Sequence, residues 1–339
     1  MAEEWMTPAM ADLVQAPQRA AFELRPLSLG EILDRTFAVY RSRFWLFAGL
    51  AAIYGGVSSI ASGLQATLQH VVLTQLGNSV AKVEADASTG LVLLLALPVA
   101  AVVEAAILHA LSGVYLGHAV SAGGSLRAVI GLWYRWIGVM LWQVWSAMWV
   151  AVLVVAPAIA LLAIPGARDY AWLGGLLIFF AIFGGGIYGV YAYLRNSLAL
   201  AAATIEGSGV RASMRRSKVL SVGAKWRVVV LGLVLWALSM VGGVIQMPLV
   251  FVIARTPLEA HIAAHAILLA VTFVTQTFVT PVGMIGVGII YFDQRVRKEA
   301  FDLLVLMGPE TVAPQAQEPP RYPEASGDPA DPIGSDGRI

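Results

Sequence analysis

The chain has 339 residues, of which 58% are hydrophobic and 13% are charged, and its formal net charge is +1. Soluble globular domains carry about 25% charged residues, so this composition excludes a water-soluble enzyme and predicts a chain embedded largely in lipid. The near-neutral balance argues against a nucleic-acid partner. The absence of cysteine excludes disulfides and thiolate metal sites.

The N-terminal residues 1–24 are mixed and acidic and lack the apolar core of a signal peptide, so we expect a disordered cytoplasmic segment. The segment that follows has a capping-box pattern, in which Ser28 precedes Glu31 by three residues. Apolar or small side chains then recur at helical spacing, at Leu29, Ile32, Leu33, Thr36, Phe37, Tyr40 and Phe44. This pattern predicts an amphipathic helix in the cytoplasmic interface, with its apolar face in the acyl boundary.

Six apolar stretches are long enough to cross a hydrocarbon core about 30 Å thick as helices. They cover about residues 44–64, 91–117, 137–164, 170–194, 228–254 and 261–291. Because the apolar runs are continuous and do not alternate with polar residues, they favour helices over the strands of a β-barrel. The predicted fold is an all-α, polytopic membrane helix bundle that covers residues 25–307.

Basic residues set the predicted orientation of the bundle. Of the 22 lysines and arginines, 19 lie before the first span, between spans two and three, between spans four and five, or after the sixth. The other three, Lys82, Arg168 and Arg255, lie one apiece in the remaining loops. Since basic residues collect in cytoplasmic loops, we expect both termini to be cytoplasmic and the protein to lie in the cell membrane. The proline-rich, acidic tail 308–339 is predicted to be disordered.

Short polar or amphipathic segments, here called elbows, precede the first, third and fifth spans. Each ends in a tryptophan at the membrane entry, namely Trp45, Trp136 and Trp226. This regular spacing predicts a threefold internal repeat of one elbow helix followed by two spans. In the third elbow, four basic residues are candidates for contact with anionic lipid headgroups: Arg211, Arg215, Arg216 and Lys218. The alternative is that these charges only fix the topology.

Charged residues of opposite sign follow the sixth span at i,i+4 spacing. The pairs are Asp293 with Arg297, Arg295 with Glu299, and Lys298 with Asp302. Such pairs each stabilise a helix by a few tenths of a kcal/mol. The last span is therefore predicted to continue as a helix to about Leu306.

Three segments resemble characteristic parts of the glycerophosphoryl diester phosphodiesterase membrane-domain family. They are PLSLGEILDRTFAVYRSRF at 26–44, ATIEGSGVRASMRRSKVL at 203–220 and YFDQRVRKEAFDL at 291–303. The resemblance implies a bacterial multi-pass membrane protein with no assigned biochemical role. It does not imply phosphodiesterase activity, because the chain has no His-Arg dipeptide and no segment outside the spans long enough for a barrel of about 250 residues.

Polar residues inside the spans are the candidates for an intramembrane site. Glu104 is the one acidic residue well inside a span, and a buried charge there is by default a functional hypothesis. It predicts a proton or cation site, whereas the alternative is a protonated acid hydrogen-bonded to a neighbouring helix. The further candidates are His109, which does not share a helix face with Glu104, and the residues near prolines Gln246, Thr272 and Gln276. Such side chains either form hydrogen bonds with backbone groups that proline leaves unpaired or line a water-filled path.

Other patterns predict structure rather than chemistry. His261 and His265 are one helical turn apart, but a metal site needs three or four ligands, so we expect polar anchors and no metal. Gly185 and Gly189 lie in a span, where small residues permit close helix contact. No catalytic or nucleotide-binding constellation is found in the sequence, so we expect no cofactor and no enzyme activity.

Two functions remain open from the sequence. The first is a non-catalytic, lipid-associated scaffold or accessory subunit that binds membrane or cytoplasmic proteins through its elbows or tails. The second is a small-solute or lipid transporter that uses a polar interior around Glu104.

Overall fold

The computed structural model describes residues 25–76, 78–163, 170–255 and 261–300. Within these ranges the chain forms ten α-helices and no strand. They are α1 (Leu29–Ser42), α2 (Phe44–Leu76), α3 (Asn78–Tyr115), α4 (Ala122–Ile130), α5 (Trp133–Ala163), α6 (Ala171–Asn196), α7 (Ala199–Ile205), α8 (Val210–Leu220), α9 (Lys225–Arg255) and α10 (His261–Glu299). The predicted disordered tails lie outside the described residues. The last helix ends at Glu299 and Ala300 has a φ of 50°, so the predicted uninterrupted continuation to Leu306 is wrong at Ala300, and the residues beyond it are not described.

Six segments of the described chain are long and apolar enough to cross a membrane. They are Phe44–Gln65, Ala96–Tyr115, Trp133–Leu161, Trp172–Ile205, Lys225–Phe251 and Ala264–Glu299. Each overlaps one predicted span, which confirms the all-α polytopic bundle. The helices themselves extend further, since α2 runs to Leu76 and α3 begins at Asn78. Residues 65–90 lack proline and contain many good helix formers, so propensity carries the helices past the apolar stretch.

The three elbows are the short helices α1, α4 and α8, each followed by a long helix. Their order matches the predicted threefold pattern, although the fourth span is divided into α6 and α7 near Ser197. α1 and α8 pack against α10, α4 packs against α3, and α7 packs against α8. These contacts gather the elbows, α7 and the C-terminus of α10 at one end of the bundle, here called the basic end.

The first elbow begins as predicted but buries its apolar face against protein. The Ser28 hydroxyl accepts the Glu31 N–H at 3.3 Å, and the Glu31 carboxylate accepts the Ser28 N–H at 2.7 Å, which confirms the capping box. Ile32, Thr36 and Tyr40 are buried in the bundle. The expectation that this face lies in the acyl boundary is therefore wrong for these residues, because α10 and its neighbours offer them an apolar protein surface. Phe37 of the same predicted face is exposed.

Two of the three entry tryptophans are exposed as anchors, and the third is not. Trp45 and Trp226 are exposed, as expected of residues at a membrane interface. Trp136 is buried, and its indole N–H donates to the Val129 carbonyl at 2.8 Å. Trp133, one turn earlier, is exposed in its place. The predicted anchor of the second elbow is thus wrong by three residues.

The α5–α6 hairpin is joined by small residues. A Cβ atom placed on Gly185 would lie 2.9 Å from the Ala151 Cβ, and one on Gly189 would lie 3.0 Å from the Ala147 carbonyl oxygen. This confirms the predicted close helix contact. Most large apolar side chains of the hairpin are otherwise exposed, which suits helices whose outer surface faces lipid.

Candidate functional site

A buried carboxylate at the basic end joins three distant parts of the chain. Asp293 is fully buried and accepts the Leu27 N–H at 2.7 Å. It also accepts hydrogen bonds from Arg227, the third residue of α9, and from the Arg297 Nε at 3.0 Å. Arg297 in turn donates to the Leu27 carbonyl at 2.6 Å. The predicted i,i+4 pair of Asp293 and Arg297 is confirmed, but it belongs to a buried network rather than a solvated helix face.

A second charged network links the loop before α8 to α10. The Glu206 carboxylate accepts from the Arg216 Nε at 2.8 Å and from the Tyr291 hydroxyl. Arg216 also pairs with Glu299, which is 3.2 Å from the Arg295 Nε and confirms the second predicted i,i+4 pair. Burial alone would lower the pKa of Arg216. Its hydrogen bonds to Glu299 and Glu206 together have the larger effect and raise this pKa above its usual value.

Lys298 bonds to backbone carbonyls at the end of α8. Its ammonium group donates to the carbonyls of Val219 and Val222 at 2.7 Å and of Leu220 at 3.2 Å. These carbonyls lie at the C-terminal end of α8, where helix carbonyls lack internal partners. The cap fixes α8 to α10. The predicted pairing of Lys298 with Asp302 lies outside the described residues.

These contacts divide the four basic candidates of α8 into two groups. Arg216 is held by acidic residues of the protein and is not available to a ligand in this arrangement. Arg211, Arg215 and Lys218 are exposed and form no ion pair with any other described residue. Their spacing places them on one face of α8, while the opposite face is buried against the bundle. α8 therefore presents a row of three cations, here called the basic row.

The interruption of the fourth span near Ser197 is satisfied by side chains of neighbouring helices. The Ser217 hydroxyl of α8 donates to the Arg195 carbonyl at 3.1 Å and accepts the Leu198 N–H at 3.2 Å. The Gln143 amide of α5 donates to the Asn196 carbonyl at 2.7 Å. Backbone groups freed inside a membrane protein need such partners, so the interruption is a fixed feature that holds α5, α6 and α8 together.

Two cations lie against one tyrosine where α6 meets α9. The Lys225 Nζ lies 4.2 Å from the centroid of the Tyr191 ring, and the Arg195 guanidinium carbon lies 5.8 Å from it. The Arg195 Nε is buried and finds no hydrogen-bond acceptor among the described residues. Neither cation forms an ion pair with a described acidic residue. The sequence could not show that Arg195 and Lys225 share one ring, because that arrangement depends on a contact between two separate spans.

Glu104 lies on α3 and is partly exposed. No described residue donates a hydrogen bond to its carboxylate, so the partner required by the structural alternative is not observed there. The phenols of Tyr54 on α2 and Tyr193 on α6 lie close enough to interact with it electrostatically. Tyr193 is more than half exposed as a residue.

The structure does not assemble the other intramembrane candidates into one site. Among the described residues, no hydrogen bond joins Glu104, His109, Gln246, Thr272 or Gln276 to another member of this set. The His109 Nδ1 is buried and finds no hydrogen-bond partner in the described part of the chain, while the Thr272 hydroxyl donates to the Leu268 carbonyl of its own helix at 2.9 Å. Gln246 and Gln276 are partly exposed.

Two nearby threonines instead pack against glycines. A Cβ atom on Gly242 would lie 2.5 Å from the Thr275 hydroxyl oxygen, and one on Gly55 would lie 2.9 Å from that of Thr277. The threonines therefore fill notches on α9 and α2. This supports a packing role for part of the polar segment 272–280.

The described residues contain no group of three or more histidine, cysteine, aspartate or glutamate side chains arranged to hold a metal ion. Glu259, which lies close to His261 and His265 in sequence, falls outside the described residues. Comparison of the chain with protein-family models, with curated proteins and with solved structures finds no match.

Proposed function

We propose that this multi-pass membrane protein is a non-catalytic, lipid-associated scaffold or accessory subunit of the bacterial cell membrane, with its basic end in the cytoplasmic interface. The observation that carries the proposal is the exposure of the basic row Arg211, Arg215 and Lys218. The nearby Arg216 and Arg227 are held in ion pairs within the protein. The resemblance to the glycerophosphoryl diester phosphodiesterase membrane-domain family supports the same proposal without adding a chemistry.

The electrostatics of the third elbow favour an anionic lipid surface. The buried face of α8 carries Ser213, Met214, Ser217 and Leu220, so the helix is fixed to the bundle and its cations point away from it. Trp226 is exposed just beyond α8 and has the amphipathic side chain typical of membrane interfaces. Basic residues beside an anionic leaflet each contribute about 1 kcal/mol of attraction. Three such residues on a fixed helix supply a preformed surface for headgroups.

The test compares thermal unfolding with and without anionic lipid. Purified protein in a neutral detergent is mixed with phosphatidylglycerol or with phosphatidylcholine at low ionic strength. We expect phosphatidylglycerol to raise the unfolding temperature more than phosphatidylcholine does, and added salt to reduce this difference because exposed charges are screened. The triple variant Arg211→Gln, Arg215→Gln, Lys218→Gln is expected to lose most of the difference.

The matched control removes three charges elsewhere in the chain through Lys82→Gln, Arg168→Gln and Arg255→Gln. It changes the net charge equally, but its charges come from three separate segments of the sequence, so it is expected to keep the preference for phosphatidylglycerol. Equal loss in both triple variants would overturn the proposed role of the basic row.

One observation favours the transporter as a second candidate. Glu104 lies within a span, is half-buried as a residue, and has no hydrogen-bond donor to its carboxylate among the described residues. The test uses protons as the probe, with a pH-sensitive dye trapped inside proteoliposomes. A transporter predicts faster dissipation of a pH gradient by the native protein than by Glu104→Gln. Equal rates would count against proton-coupled transport through this residue.

A further inference from the structure

The place where α6 meets α9 combines two cations, one exposed aromatic ring and an apolar surface. The residues are Tyr191 and Arg195 of α6 and Lys225 at the start of α9, together called the Tyr191 cleft. α6 packs mainly against α5, and α9 packs mainly against α10, so the two helices meet only along a narrow edge. The Tyr191 ring is 46% exposed, so the cleft opens to the surroundings of the bundle.

No acidic residue of the described chain pairs with the two cations of this cleft. Lys225 and Arg195 lie on the same ring, at 4.2 Å and 5.8 Å from its centroid. Like charges repel each other, most strongly where little water screens them. Elsewhere at the basic end, buried or half-buried arginines such as Arg216 and Arg227 are paired with carboxylates of the described chain. At the Tyr191 cleft the described chain supplies cations and no anion.

The unused hydrogen-bond donors of the cleft fit an oxyanion. The buried Arg195 Nε finds no acceptor among the described residues, and guanidinium groups suit the oxygens of a phosphate. Lys225 adds a compact positive charge at the first residue of a 31-residue helix with no acidic residue in its first turn. The N-terminus of a long helix carries partial positive charge, which further favours an anion there.

An apolar stripe continues from the cations along α6. Phe183, Ile187, Tyr191 and Arg195 follow one another at four-residue spacing and therefore share one side of the helix. Phe183 and Ile187 are 57% and 73% exposed. The surface changes from cationic through aromatic to apolar over three helical turns. That order is the order of a phospholipid, with its phosphate, its glycerol region and its acyl chains.

We propose that the Tyr191 cleft binds the phosphate group of an anionic phospholipid, with Arg195 and Lys225 as its cationic ligands. The acyl chains lie along the exposed stripe formed by Ile187 and Phe183. This inference names a lipid site additional to the basic row and rests on the proposed lipid association of the protein. It differs from the basic row because a defined cleft holds one lipid molecule, whereas exposed cations attract a surface.

The experiment counts lipid adducts by native mass spectrometry of the full chain in a mild detergent. Phosphatidylglycerol, phosphatidylcholine and inorganic phosphate are added in separate titrations. We expect one tightly retained phosphatidylglycerol per chain, and at least about a tenfold weaker apparent affinity in the variant Arg195→Gln/Lys225→Gln. A tenfold loss corresponds to two weakened charge-assisted contacts.

Two further variants keep the test decisive. Arg211→Gln/Lys218→Gln removes the same net charge from the basic row and is expected to retain the tight adduct. The charge-preserving variant Arg195→Lys/Lys225→Arg is expected to retain binding even if the neutral variant does not fold. Unchanged phosphatidylglycerol binding in Arg195→Gln/Lys225→Gln, shown to be monodisperse by gel filtration, would overturn the cleft.

The variants and titrations also distinguish the Tyr191 cleft from the basic row, and a phospholipid from free phosphate. Loss of the tight adduct only in the cleft variant supports the cleft, whatever the basic row does to thermal stability. Equal loss of the adduct in the cleft variant and the basic-row variant would show that positive charge attracts the lipid without a defined site, and would overturn the proposal of the Tyr191 cleft. Saturable binding of inorganic phosphate with no retained phospholipid would make the source a free anion and overturn the lipid assignment.

Discussion

Replacing Asp293 by asparagine removes one negative charge from the most buried ionic contact of the basic end. The carboxylate accepts hydrogen bonds from the Leu27 N–H, Arg227 and Arg297, and its side chain is completely shielded from solvent. Asparagine has nearly the same size and can still accept one bond from Leu27. The substitution therefore tests the charge while leaving the packing in place.

The expected loss follows from the exposure of the partners. Breaking a fully buried ion pair by removing one partner costs about 3–5 kcal/mol. The side chains of Arg227 and Arg297 are 19% and 36% exposed, so water partly solvates their charges once the carboxylate is gone. Arg297 also keeps its bond to the Leu27 carbonyl. We therefore expect Asp293→Asn to reduce the free energy of unfolding by about 2–3 kcal/mol.

The assay is equilibrium unfolding in mixed micelles with an increasing fraction of denaturing detergent, followed by tryptophan fluorescence. The matched control is Asp34→Asn, because Asp34 is exposed on α1 and its substitution is expected to change stability by less than about 0.5 kcal/mol. The double variant with Arg227→Gln should lose less than the sum of the two single losses, because both act on one contact. Equal stability of Asp293→Asn and Asp34→Asn would refute the reasoning.

Two further predictions concern the α5–α6 contact and the first elbow. Gly185→Val forces a side chain against Ala151, whose nearest backbone atom lies 3.0 Å from the required Cβ position, and should reduce the free energy of unfolding by about 1–3 kcal/mol in the same assay. The control Gly186→Val, whose Cβ would meet nothing within 4 Å, should reduce it much less. Equal losses in the two variants would contradict the packing. Hydrogen bonds from the Ser28 backbone and from a nearby arginine lower the pKa of Glu31 to about 2 from its usual 4.5, so its stabilising contribution is complete above pH 4.5 and is lost as the pH falls towards 2. The stability gap between the native protein and Glu31→Gln should therefore shrink over that range, and a constant gap would contradict the pKa assignment.

Local features of the fold could be predicted from the sequence. Hydropathy located all six spans, since membrane thickness fixes the length of an apolar helix. The capping box of Ser28 and Glu31 was predictable because both partners lie within four residues of each other. The contact at Gly185 was predictable because small residues at helical spacing permit close approach.

Features that depend on which helices touch could not be predicted in the same way. The apolar face of α1 is equally suited to lipid and to protein, and only the position of α10 decides between them. The pair of Asp293 and Arg297 was visible at i,i+4 spacing, but the bond to Leu27 joins residues 266 positions apart. The periodicity of the third elbow could not show that Glu206 and Glu299 pair with Arg216 and leave its neighbours exposed.

The candidate intramembrane site shows the same limit. The sequence singled out Glu104 from its charge alone, and the structure adds the phenols of Tyr54 and Tyr193 from two other helices. Gln246 and Gln276 were chosen for their position beside prolines, and no described hydrogen bond connects them to Glu104. Proximity to proline predicts local helix repair as well as function, so it does not identify a site.

The central claim is that the basic end of the bundle lies in the cytoplasmic interface. Because the chain contains no cysteine, single cysteines can report sidedness without further changes. The measurement is labelling of Arg211→Cys and Ala85→Cys in intact cells by a thiol reagent that does not cross the membrane. The account predicts labelling of Ala85→Cys from outside and of Arg211→Cys only after the cells are opened. Labelling of Arg211→Cys in intact cells would contradict it.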